Sequence, residues 1–393
     1  MTFQEARECV IREVNRARVT PKVEQVALES AGGRVLAAEV RADRDYPPLD
    51  RSTRDGFAVR SDGLPGELRI VGEIRAGETF AGRVNAGEAV EIMTGAPIPN
   101  GADTVVMIEH VERTGANIRF GRTIPSGQFV NPRGAEARAG QTLLPAGKRL
   151  AFTDIALLAT VGCEPVPVYR KPRVAILATG DEIVSITETP LDYQIRNSNV
   201  YSLAMQVTRA GGVPEILAVA KDNYEDTRAL VDRGLSSDML ILSGGVSAGK
   251  YDIVEKVLAG CGAEFYFDRV AIQPGQPLVF GRARKRFFFG LPGNPASTMV
   301  TFELFARAAL ELLAGQAESA LPFTLARLTQ EFRHKKGLTR FLPAFVSEGA
   351  SLTPVPWKGS SDVPALCRAN AFMVADADRE AWSAGDFMPV LLK

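Results

Sequence analysis

The segment "DMLILSGGVSAGKYDIVEKVLAGCG", Asp238 to Gly262, combines a strand pattern, a turn pattern and a helix pattern. It begins with a continuous apolar run, which is typical of a strand buried on both faces of a sheet. Glycines and hydroxyls follow, and "DIVEKVLAGCG" then has the apolar spacing of an amphipathic helix. The segment therefore predicts one unit of an α/β fold, with a glycine-rich turn at the carboxyl end of its strand.

The same alternation continues on both sides of this segment. Upstream, the sequence predicts in turn a strand, a helix, a strand and a helix, at "RVAILATG", "NSNVYSLAMQVTRAGG", "PEILAVAKD" and "NYEDTRALVDRGL". Downstream, "FFFGLPGNP" predicts a strand that leads into the long helix "ASTMVTFELFARAALELLAG". Strands and helices in alternation predict a parallel sheet with helices on its faces.

The glycine-rich turn is close to a nucleotide-binding loop but departs from it at one position. Gly244, Gly249 and Lys250 fit the pattern G-x-x-x-x-G-K. The next residue of such a loop is Ser or Thr, whose hydroxyl binds Mg²⁺. Here it is Tyr251, whose phenol oxygen is held far beyond that point, which argues against an ATP-binding kinase. Two interpretations stay open: an amide cradle for an anion, and a plain turn in which Asp252 caps the helix.

Polar residues follow the other predicted strands as well. In an open parallel sheet, ligands bind beyond the carboxyl ends of the strands. We expect four carboxylates to project towards this rim: Asp181, Glu182, Asp222 and Asp252. Converging carboxylates need a divalent cation or raised pKa values. Each residue alone is explained as a turn or a cap, whereas the set favours a site for an anion and Mg²⁺. The turn Pro292-Gly293-Asn294-Pro295 is likewise either a rigid turn that caps the last helix or a set of backbone amides held at a helix start.

Residues from Asp45 to about Gly140 have a different sequence pattern. Short apolar alternations such as "LRIVGEI" and "EAVEIMTG" are separated by Gly and Pro, which predicts a β-rich module. Two of its stretches, "PPLDRSTRDGFAVR" and "IMTGAPIPNGAD", are dense in hydroxyls and carboxylates, so they are candidates for the second wall of a cleft. Each stretch alone is also ordinary hairpin chemistry. Helix periodicity returns in "LLPAGKRLAFTDIALLATVGC", which we expect to pack against the N-terminal segment, so that the module is an insertion.

Composition excludes several classes of protein. The 393 residues include 46 Lys and Arg and 46 Asp and Glu. The chain therefore has no net positive charge that would attract nucleic acid or an anionic membrane. No apolar run is long enough to cross a bilayer, and no secretory signal is present. The four cysteines are far apart, as expected of reduced thiols in a cytoplasmic protein. With only two histidines, a His/Cys zinc site and a Ser-His-Asp triad are disfavoured.

The motifs together resemble the molybdopterin molybdenumtransferases, also called molybdenum insertases, a family that includes the catalytic portion of gephyrin. The matching stretches, in order, are "LDRSTRDGFAVR", "IMTGAP", "RGAEARAG", "ATGDEI", "SGGVSAGKYD", "QPGQP" and "GLPGNPAS". They extend over nearly the whole chain. Each is modestly specific, and the ordered set is highly specific.

The resemblance implies a multidomain α/β protein. A split linker domain would comprise residues 1–42 and 138–169, and a β-rich inserted domain residues 43–137. A doubly wound α/β domain that binds molybdopterin would occupy residues 170–318, and a C-terminal β-barrel residues 319–393. The family forms homodimers, in which the α/β domain of one subunit and the β-rich domain of the other line the cleft.

The resemblance also assigns site residues. The catalytic positions implied by the family's motifs are Asp55, Thr94, Glu136, Glu182, Asp222 and Asp252. Of these, Glu182, Asp222 and Asp252 would hold Mg²⁺, position the pyrophosphate, or both. The positions implied for substrate binding are Thr179, Gly180, Asp181, Ser243, Gly244, Gly245, Val246, Ser247, Arg269, Gln273, Gln276, Pro292, Gly293, Asn294, Pro295, Ser360 and Ser361. The loop from Ser243 to Ser247 would hold the pterin phosphate.

The implied reaction takes adenylylated molybdopterin and molybdate, releases AMP with the help of Mg²⁺, and leaves molybdenum on the dithiolene. The chain departs from its relatives around the anion pocket, because Gln273 and Gln276 stand where many of them have lysine. Glutamine hydrogen-bonds an oxyanion without neutralising it. Molybdate capture would then depend more on Arg269, on backbone amides, or on basic residues of the C-terminal domain. In that domain Arg340 is displaced by two positions from the commoner pattern.

Two other functions are weighed against this one. A Mg²⁺-dependent pyrophosphatase on the same α/β domain would usually lack the inserted β module. A non-enzymatic scaffold, like gephyrin in its second role, would be suggested by long linkers or fused domains, which this chain lacks. For partners, the sequence predicts small-molecule substrates and no nucleic acid or membrane. The resemblance adds a homodimer and transient contacts with the molybdopterin adenylyltransferase and with molybdoenzyme chaperones.

Overall fold

The computed structural model describes residues 1–244 and 253–393. The chain forms two compact units. The larger unit comprises Met1–Ala37, Ala146–Phe152 and Pro165–Lys393, and the smaller unit comprises Ala38–Pro145 and Thr153–Glu164. The finer division into four domains stays a prediction.

A six-stranded sheet forms the centre of the larger unit. Its strands, in spatial order, are Val213–Ile216, Arg173–Ala178, Met239–Ser243, Arg286–Leu291, Pro277–Ala283 and Glu264–Arg269. The first four strands are parallel, as predicted. The last two are antiparallel to their neighbours, so the sheet is mixed and not wholly parallel. A two-residue hairpin joins Pro277–Ala283 to Arg286–Leu291, and such a short connection allows only antiparallel strands.

Helices cover both faces of this sheet. The helices of the larger unit are Phe3–Ala17, Asn199–Arg209, Tyr224–Gly234, Ile253–Gly260, Pro295–Thr301, Arg307–Leu313 and Val363–Arg368, with a 3₁₀ turn at Leu28–Ser30. One core, on the face of Asn199–Arg209, contains Ile176, Ile241 and Phe289. The core on the other face contains Leu177, Leu242 and Phe288. Successive strand residues point to opposite faces, which explains why the strands are apolar without alternation.

The long helix predicted after Pro295 is interrupted by a π-helical segment, Phe302–Ala306. Phe3 of the N-terminal helix packs on Phe305 of that segment, with ring centroids 5.9 Å apart. The N-terminal helix itself begins with a capping box, in which Thr2 and Glu5 bond each other's backbone amides. Such a box stabilises a helix start because it satisfies two amides that have no partner within the helix.

The C-terminal region is a closed five-stranded barrel, as predicted. Its strands, in order around the barrel, are Thr339–Val346, Ser351–Pro354, Phe323–Leu328, Phe387–Leu392 and Ala371–Ala375. The ring closes because Thr339–Val346 also pairs with Ala371–Ala375. The short strand Ile272–Gln273 joins the barrel from outside, beside Thr339 and Arg340.

Three small strand pairs complete the larger unit. They are Val23–Val26 with Val166–Tyr169, Ile183–Val184 with Ile195–Arg196, and Phe332–Arg333 with Ala381–Trp382. The residues before the predicted second linker helix do return to the N-terminal segment, since Gly33 and Leu36 donate backbone hydrogen bonds to Leu150 and Lys148. The helix itself is shorter than its periodicity suggested and spans Phe152–Thr160.

The smaller unit is β-rich, as predicted. Its main sheet has the strand order Thr104–Met107, Gly56–Val59, Glu88–Ile92, Gly66–Ile74, Asn117–Phe120 and Glu112–Thr114. Two further pairs are Arg51–Ser52 with Val130–Asn131, and Val40–Arg41 with Thr142–Leu144. Single-turn 3₁₀ helices lie at Ser61–Gly63 and Ile108–His110. Because Val40–Arg41 pairs with Thr142–Leu144, the two ends of the inserted module lie side by side.

Among the described residues, every helix is too short or too polar to cross a lipid bilayer.

Candidate functional site

A cavity of about 400 Å³ lies at the carboxyl ends of the parallel strands. Arg173–Ala178 and Met239–Ser243 are neighbours there, and the next strand along the chain, Val213–Ile216, lies on the outer side of Arg173–Ala178. The strand order therefore reverses between these two central strands. Such a switch point is where open α/β sheets bind their ligands. The cavity is lined by Ala178, Thr179, Glu182, Ile183, Ile195, Arg196, Asn197, Ser198, Asn199, Ser243, Gly244, Pro277, Pro292, Gly293, Asn294 and Pro295.

Asn199, the first residue of its helix, connects three walls of this cavity. Its Nδ2 atom donates to Ser243 Oγ at 3.0 Å, to the Gly293 carbonyl at 2.7 Å and to Thr298 Oγ1 at 3.3 Å. Thr298 in turn donates to the Pro292 carbonyl at 2.5 Å. The strand end, the Pro-Gly-Asn-Pro turn and two helix starts are thus fixed to one another.

Two buried polar atoms of the lining have no protein partner. Within residues 1–244 and 253–393, neither Asn199 Oδ1 nor Thr179 Oγ1 makes a hydrogen bond. Thr179 is only 4% exposed. Buried groups of this kind cost free energy unless water or a ligand satisfies them. They therefore provide an acceptor and a hydroxyl for a polar ligand.

Gly244 is a glycine for a steric reason. Its φ is +90°, and a Cβ atom there would lie 2.8 Å from the Thr179 carbonyl oxygen. Its amide donates to the Leu291 carbonyl at 3.1 Å. Gly293 lies against it, since a Cβ on Gly293 would be 3.7 Å from Gly244 Cα. The backbones of two strand ends thus approach closely, which leaves room for a ligand above them.

The acidic rim is only partly assembled in the described chain. Glu182 is exposed and lines the cavity. Asp181 accepts a hydrogen bond from the Asp222 amide at 3.2 Å, so these two lie together, but neither of them is among the lining residues. The described residues contain no group of three His, Cys, Asp or Glu side chains arranged for a metal ion.

Arg269, Gln273 and Gln276 lie beside the antiparallel edge of the sheet. Arg269 ends its strand opposite Pro277, which lines the cavity. Gln276 accepts the Val270 amide through its carbonyl at 3.0 Å. Gln273 pairs with Arg340, so the arginine that is displaced by two positions in sequence is in register with this loop. The Arg340 Nε atom is buried without a hydrogen-bond partner among the described residues.

The segment of Ser360 and Ser361 reaches the cavity's margin from the C-terminal region. The Ser360 carbonyl accepts the Ala296 amide at 2.9 Å, one residue after Pro295. Asp362, next in the chain, caps the helix Val363–Arg368 through the Ala365 amide. Hydrogen bonds from the Lys358 and Ala365 amides lower the pKa of Asp362.

Asp55 and Thr94 meet within the smaller unit. Asp55 Oδ1 accepts the Thr94 amide at 2.6 Å and the Thr94 hydroxyl at 2.7 Å. These two bonds lower the pKa of Asp55, because they stabilise its charged form. Both side chains are exposed. Glu136 is exposed as well and accepts Asn131 Nδ2 at 3.0 Å, in the loop that follows the strand paired with Arg51–Ser52.

Several predicted positions lie outside the described residues. They are Gly245, Val246, Ser247 and Asp252, together with Gly249, Lys250 and Tyr251 of the near-match to a nucleotide loop.

Residues 195–199 also line the cavity, although their sequence did not predict this. All of their side chains except that of Ile195 are polar, and Asn and Ser at a helix start are ordinary capping residues. Ser198 makes no side-chain cap bond, however. A cluster of amides and hydroxyls in which the caps are not used is the signal that points to a ligand wall.

The fold defines a protein with a doubly wound α/β sheet and a polar cavity at the switch point of that sheet. Three family models match consecutive parts of the chain. They describe the MoeA N-terminal region (domain I and II) at residues 1–162, a probable molybdopterin binding domain at 175–312, and the MoeA C-terminal region (domain IV) at 325–393.

Whole-chain relatives agree with these models. The molybdopterin molybdenumtransferase of Bacillus subtilis (strain 168) is 35% identical over 97% of this chain and 92% of its own length. That of Nostoc sp. is 37% identical over 80% of this chain and 74% of its own. The chain belongs to the molybdopterin molybdenumtransferase family.

Solved structures give the same result. A molybdopterin biosynthesis MoeA protein from Pyrococcus horikoshii OT3 superimposes with a TM-score of 0.85 at 27% identity, covering 100% of both chains. A second structure of a MoeA protein from Pyrococcus has a TM-score of 0.77 at 32% identity, covering 100% of this chain and 98% of the other.

Proposed function

We propose that this protein inserts molybdenum from molybdate into adenylylated molybdopterin and releases AMP. The observation that carries the proposal is the polar cavity at the switch point, in the region that matches the molybdopterin-binding model. The backbones of Gly244 and Gly293 approach closely beside the turn Pro292–Pro295, and this floor leaves room for a phosphate group. Asn199 Oδ1 and Thr179 Oγ1 would satisfy polar atoms of the ligand.

Mg²⁺ is part of this proposal. When it is bound to phosphates it takes one or two carboxylates and keeps several waters. Glu182 fits such a ligand because its exposed carboxylate lines the cavity. Asp222, beside Asp181 on the next chain segment, fits a second ligand or a water-mediated one. Bound Mg²⁺ would neutralise the pyrophosphate, while the residues of the chain hold and orient it.

We further propose a cytoplasmic homodimer in which Asp55, Thr94 and Glu136 take part in the reaction, with transient contacts to the molybdopterin adenylyltransferase and to molybdoenzyme chaperones. The pair Asp55 and Thr94 supports a catalytic part, since two donors keep that exposed carboxylate ionised. The anion pocket would draw its positive charge from Arg269 and Arg340, given the register of Gln273 with Arg340.

The test is a defined assay with purified protein, adenylylated molybdopterin, molybdate and Mg²⁺. AMP release and molybdenum bound to the pterin are both measured, with molybdate omitted in the control. We expect both products in a one-to-one ratio. AMP without bound molybdenum would identify a pyrophosphatase, and neither product under conditions where a known family member works would refute the enzyme.

The contribution of Asp55 and the dimer are tested by complementation. At a Mg²⁺ concentration that just saturates the parent protein, the Asp55→Ala and Glu182→Gln homodimers are each expected to be strongly impaired. Mixed after reversible subunit exchange, they regain activity if one active site takes its residues from two subunits. No recovery in a confirmed heterodimer would place both residues in a site made by a single chain.

A further inference from the structure

A second cavity, of about 250 Å³, lies at the opposite edge of the central sheet. Pro172 and Asp238, which line it, immediately precede two of the parallel strands, and Arg286 begins a third. The other ends of those strands border the substrate cavity. At about 3.3 Å per residue, strands of five to six residues separate the two cavities by roughly 16–20 Å. The second cavity is therefore a separate place on the molecule.

Its lining is strongly basic. Five cationic side chains line it: Arg18, Lys22, Arg170, Lys285 and Arg286. The one acidic side chain of the lining is Asp238, so the formal excess is four positive charges. The chain as a whole has a net charge of zero. The concentration of positive charge is thus local and is not a consequence of composition.

The single carboxylate is already satisfied by its neighbours. Asp238 accepts from Arg170 at 3.0 Å and from the Arg173 amide at 2.7 Å, and it lies 3.5 Å from Arg286. Arg18 is held by the carbonyls of Leu312 and Gln316. Among the ion pairs of the described residues, none includes Lys22 or Lys285, and both lysines are exposed. Fixed guanidinium groups and two free ammonium groups therefore surround one cavity.

The turn that brings Lys285 there is strained. Arg284 and Lys285 form the two-residue hairpin loop between the paired residues Ala283 and Arg286, with φ of +47° and +68°. Such loops favour Asn-Gly, because side chains other than Asn, Asp and Gly rarely adopt left-handed backbone conformations. Strained residues are retained where the surrounding structure or function requires that side chain. Arg284 has an ion pair with Asp232, whereas Lys285 lines the cavity.

We propose that this cavity binds a small molecule that carries a phosphate group. Arginine and lysine together match phosphate in geometry and charge. The volume admits a phosphate or a small phosphate ester but not an extended polyanion. The site is independent of the substrate cavity and of its reaction.

The test is isothermal titration of the whole protein at low ionic strength with three probes: inorganic phosphate, pyrophosphate and ribose 5-phosphate. The double variant Lys22→Ala/Lys285→Ala removes the two free ammonium groups. The matched control is Lys335→Ala/Lys336→Ala, which removes two exposed lysines of the C-terminal region. Because all four lysines are exposed, we expect each variant to keep the Tm of the parent protein.

For the Lys22/Lys285 variant, affinity for at least one probe should fall by about tenfold or more, since hydrogen bonds to charged groups are lost. The control should bind as the parent does. A preference for ribose 5-phosphate would identify an ester as the ligand, and equal binding would identify free phosphate. The proposal fails if the parent binds no probe at millimolar concentration, or if both double variants weaken binding equally. It also fails if a polyglutamate peptide binds more tightly than every probe with the same lysine dependence.

The turn offers an independent readout. Lys285→Gly supplies the glycine that the loop geometry favours and leaves the ion pair of Arg284 with Asp232 in place. We expect a higher Tm together with weaker phosphate binding. A higher Tm with unchanged binding would overturn the role of Lys285, and a lower Tm would overturn the strain argument.

Discussion

The side-chain amide of Asn199 donates a hydrogen bond of 2.7 Å to the carbonyl oxygen of Gly293. This bond connects the first residue of one helix to the turn that begins another. The same nitrogen also contacts Ser243 Oγ, at the end of the central strand. A single side chain thus sets the spacing of the cavity walls.

Asn199→Ala should therefore weaken both the fold and the binding of molybdopterin. We expect a loss of about 1–3 kcal/mol in the free energy of unfolding, because Ser243 and Gly293 lose a donor. The affinity for molybdopterin should fall as the Pro292–Pro295 turn loses its anchor. Denaturant unfolding and equilibrium binding measure the two effects.

Asn370→Ala is the matched control for Asn199→Ala. Asn370 exchanges two hydrogen bonds of 2.8 Å with the Val346 backbone, in the C-terminal barrel. It should lose a similar amount of stability but keep its affinity for molybdopterin. If Asn199→Ala loses stability and binds molybdopterin normally, Asn199 has only a structural role.

Gly244→Ala should disrupt the cavity floor. A residue with a side chain at φ +90° is strained by about 1–2 kcal/mol. The new Cβ would also lie 2.8 Å from the Thr179 carbonyl oxygen, which is backbone and cannot easily move away. We expect a larger loss of stability than strain alone causes, and a loss of molybdopterin binding.

Gly337→Ala is the control that separates the backbone strain of a positive φ from the steric clash with the Thr179 carbonyl. Gly337 has φ +105°, and a Cβ there would meet nothing within 4 Å. It should lose only the strain energy and bind molybdopterin as the parent protein does. Equal losses of stability in the two variants would show that the approach to Thr179 is unimportant.

The sequence predicted most of this architecture because local periodicity encodes burial. Continuous apolar runs identified the strands at Arg173–Ala178 and Met239–Ser243, and glycines placed the turn at Gly244. Strand direction has no such local signature, so Pro277–Ala283 and Glu264–Arg269 were not identified as antiparallel. Their direction follows from a two-residue hairpin whose sequence, Arg-Lys, is atypical for that turn.

Site prediction was limited by long-range geometry. Asn199 has the same sequence pattern as a helix cap, and only its contacts 44 and 94 residues away reveal its role at the cavity. Similarly, Arg340 looked displaced in sequence, yet strand register places it opposite Gln273. The local sequence pattern identifies which residue types could form a site, and the tertiary fold determines which of them come into contact.

Thr94→Val should raise the pKa of Asp55 towards its usual value. The hydroxyl bond is lost, while the shorter amide bond is kept, so part of the depression remains. A carboxyl whose pKa is lowered in the folded state stabilises the fold above its unfolded pKa, about 3.9 for Asp. That contribution disappears as the pH falls through the folded value.

NMR titration of the Asp55 carboxyl carbon measures this shift. In Thr94→Val, the free energy of unfolding should also decrease less steeply as the pH falls. Thr94→Ser keeps the hydroxyl and should restore the low pKa. An unchanged pKa in Thr94→Val would assign the whole effect to the Thr94 amide.

Glu182→Gln should increase the Mg²⁺ concentration that half-maximal turnover requires, by about tenfold or more. The glutamine oxygen stays in the cavity as a neutral ligand, so excess Mg²⁺ should recover part of the rate. The geometry of this carboxylate depends on Gly180, where a Cβ would lie 2.5 Å from Glu182 Oε2. Gly180→Ala should therefore displace the carboxylate and raise the Mg²⁺ requirement as well, although Glu182 itself is unchanged.

Glu188→Gln, an exposed carboxylate six residues further along the chain, is the charge-matched control and should leave the Mg²⁺ requirement unchanged. Turnover is measured as AMP release over a range of Mg²⁺ concentrations at saturating substrate. A lower maximal rate with an unaltered Mg²⁺ midpoint would show that Glu182 acts on the substrate and does not bind the metal. A shifted midpoint in Glu188→Gln would mean that the effect is general electrostatics, because that side chain does not line the cavity.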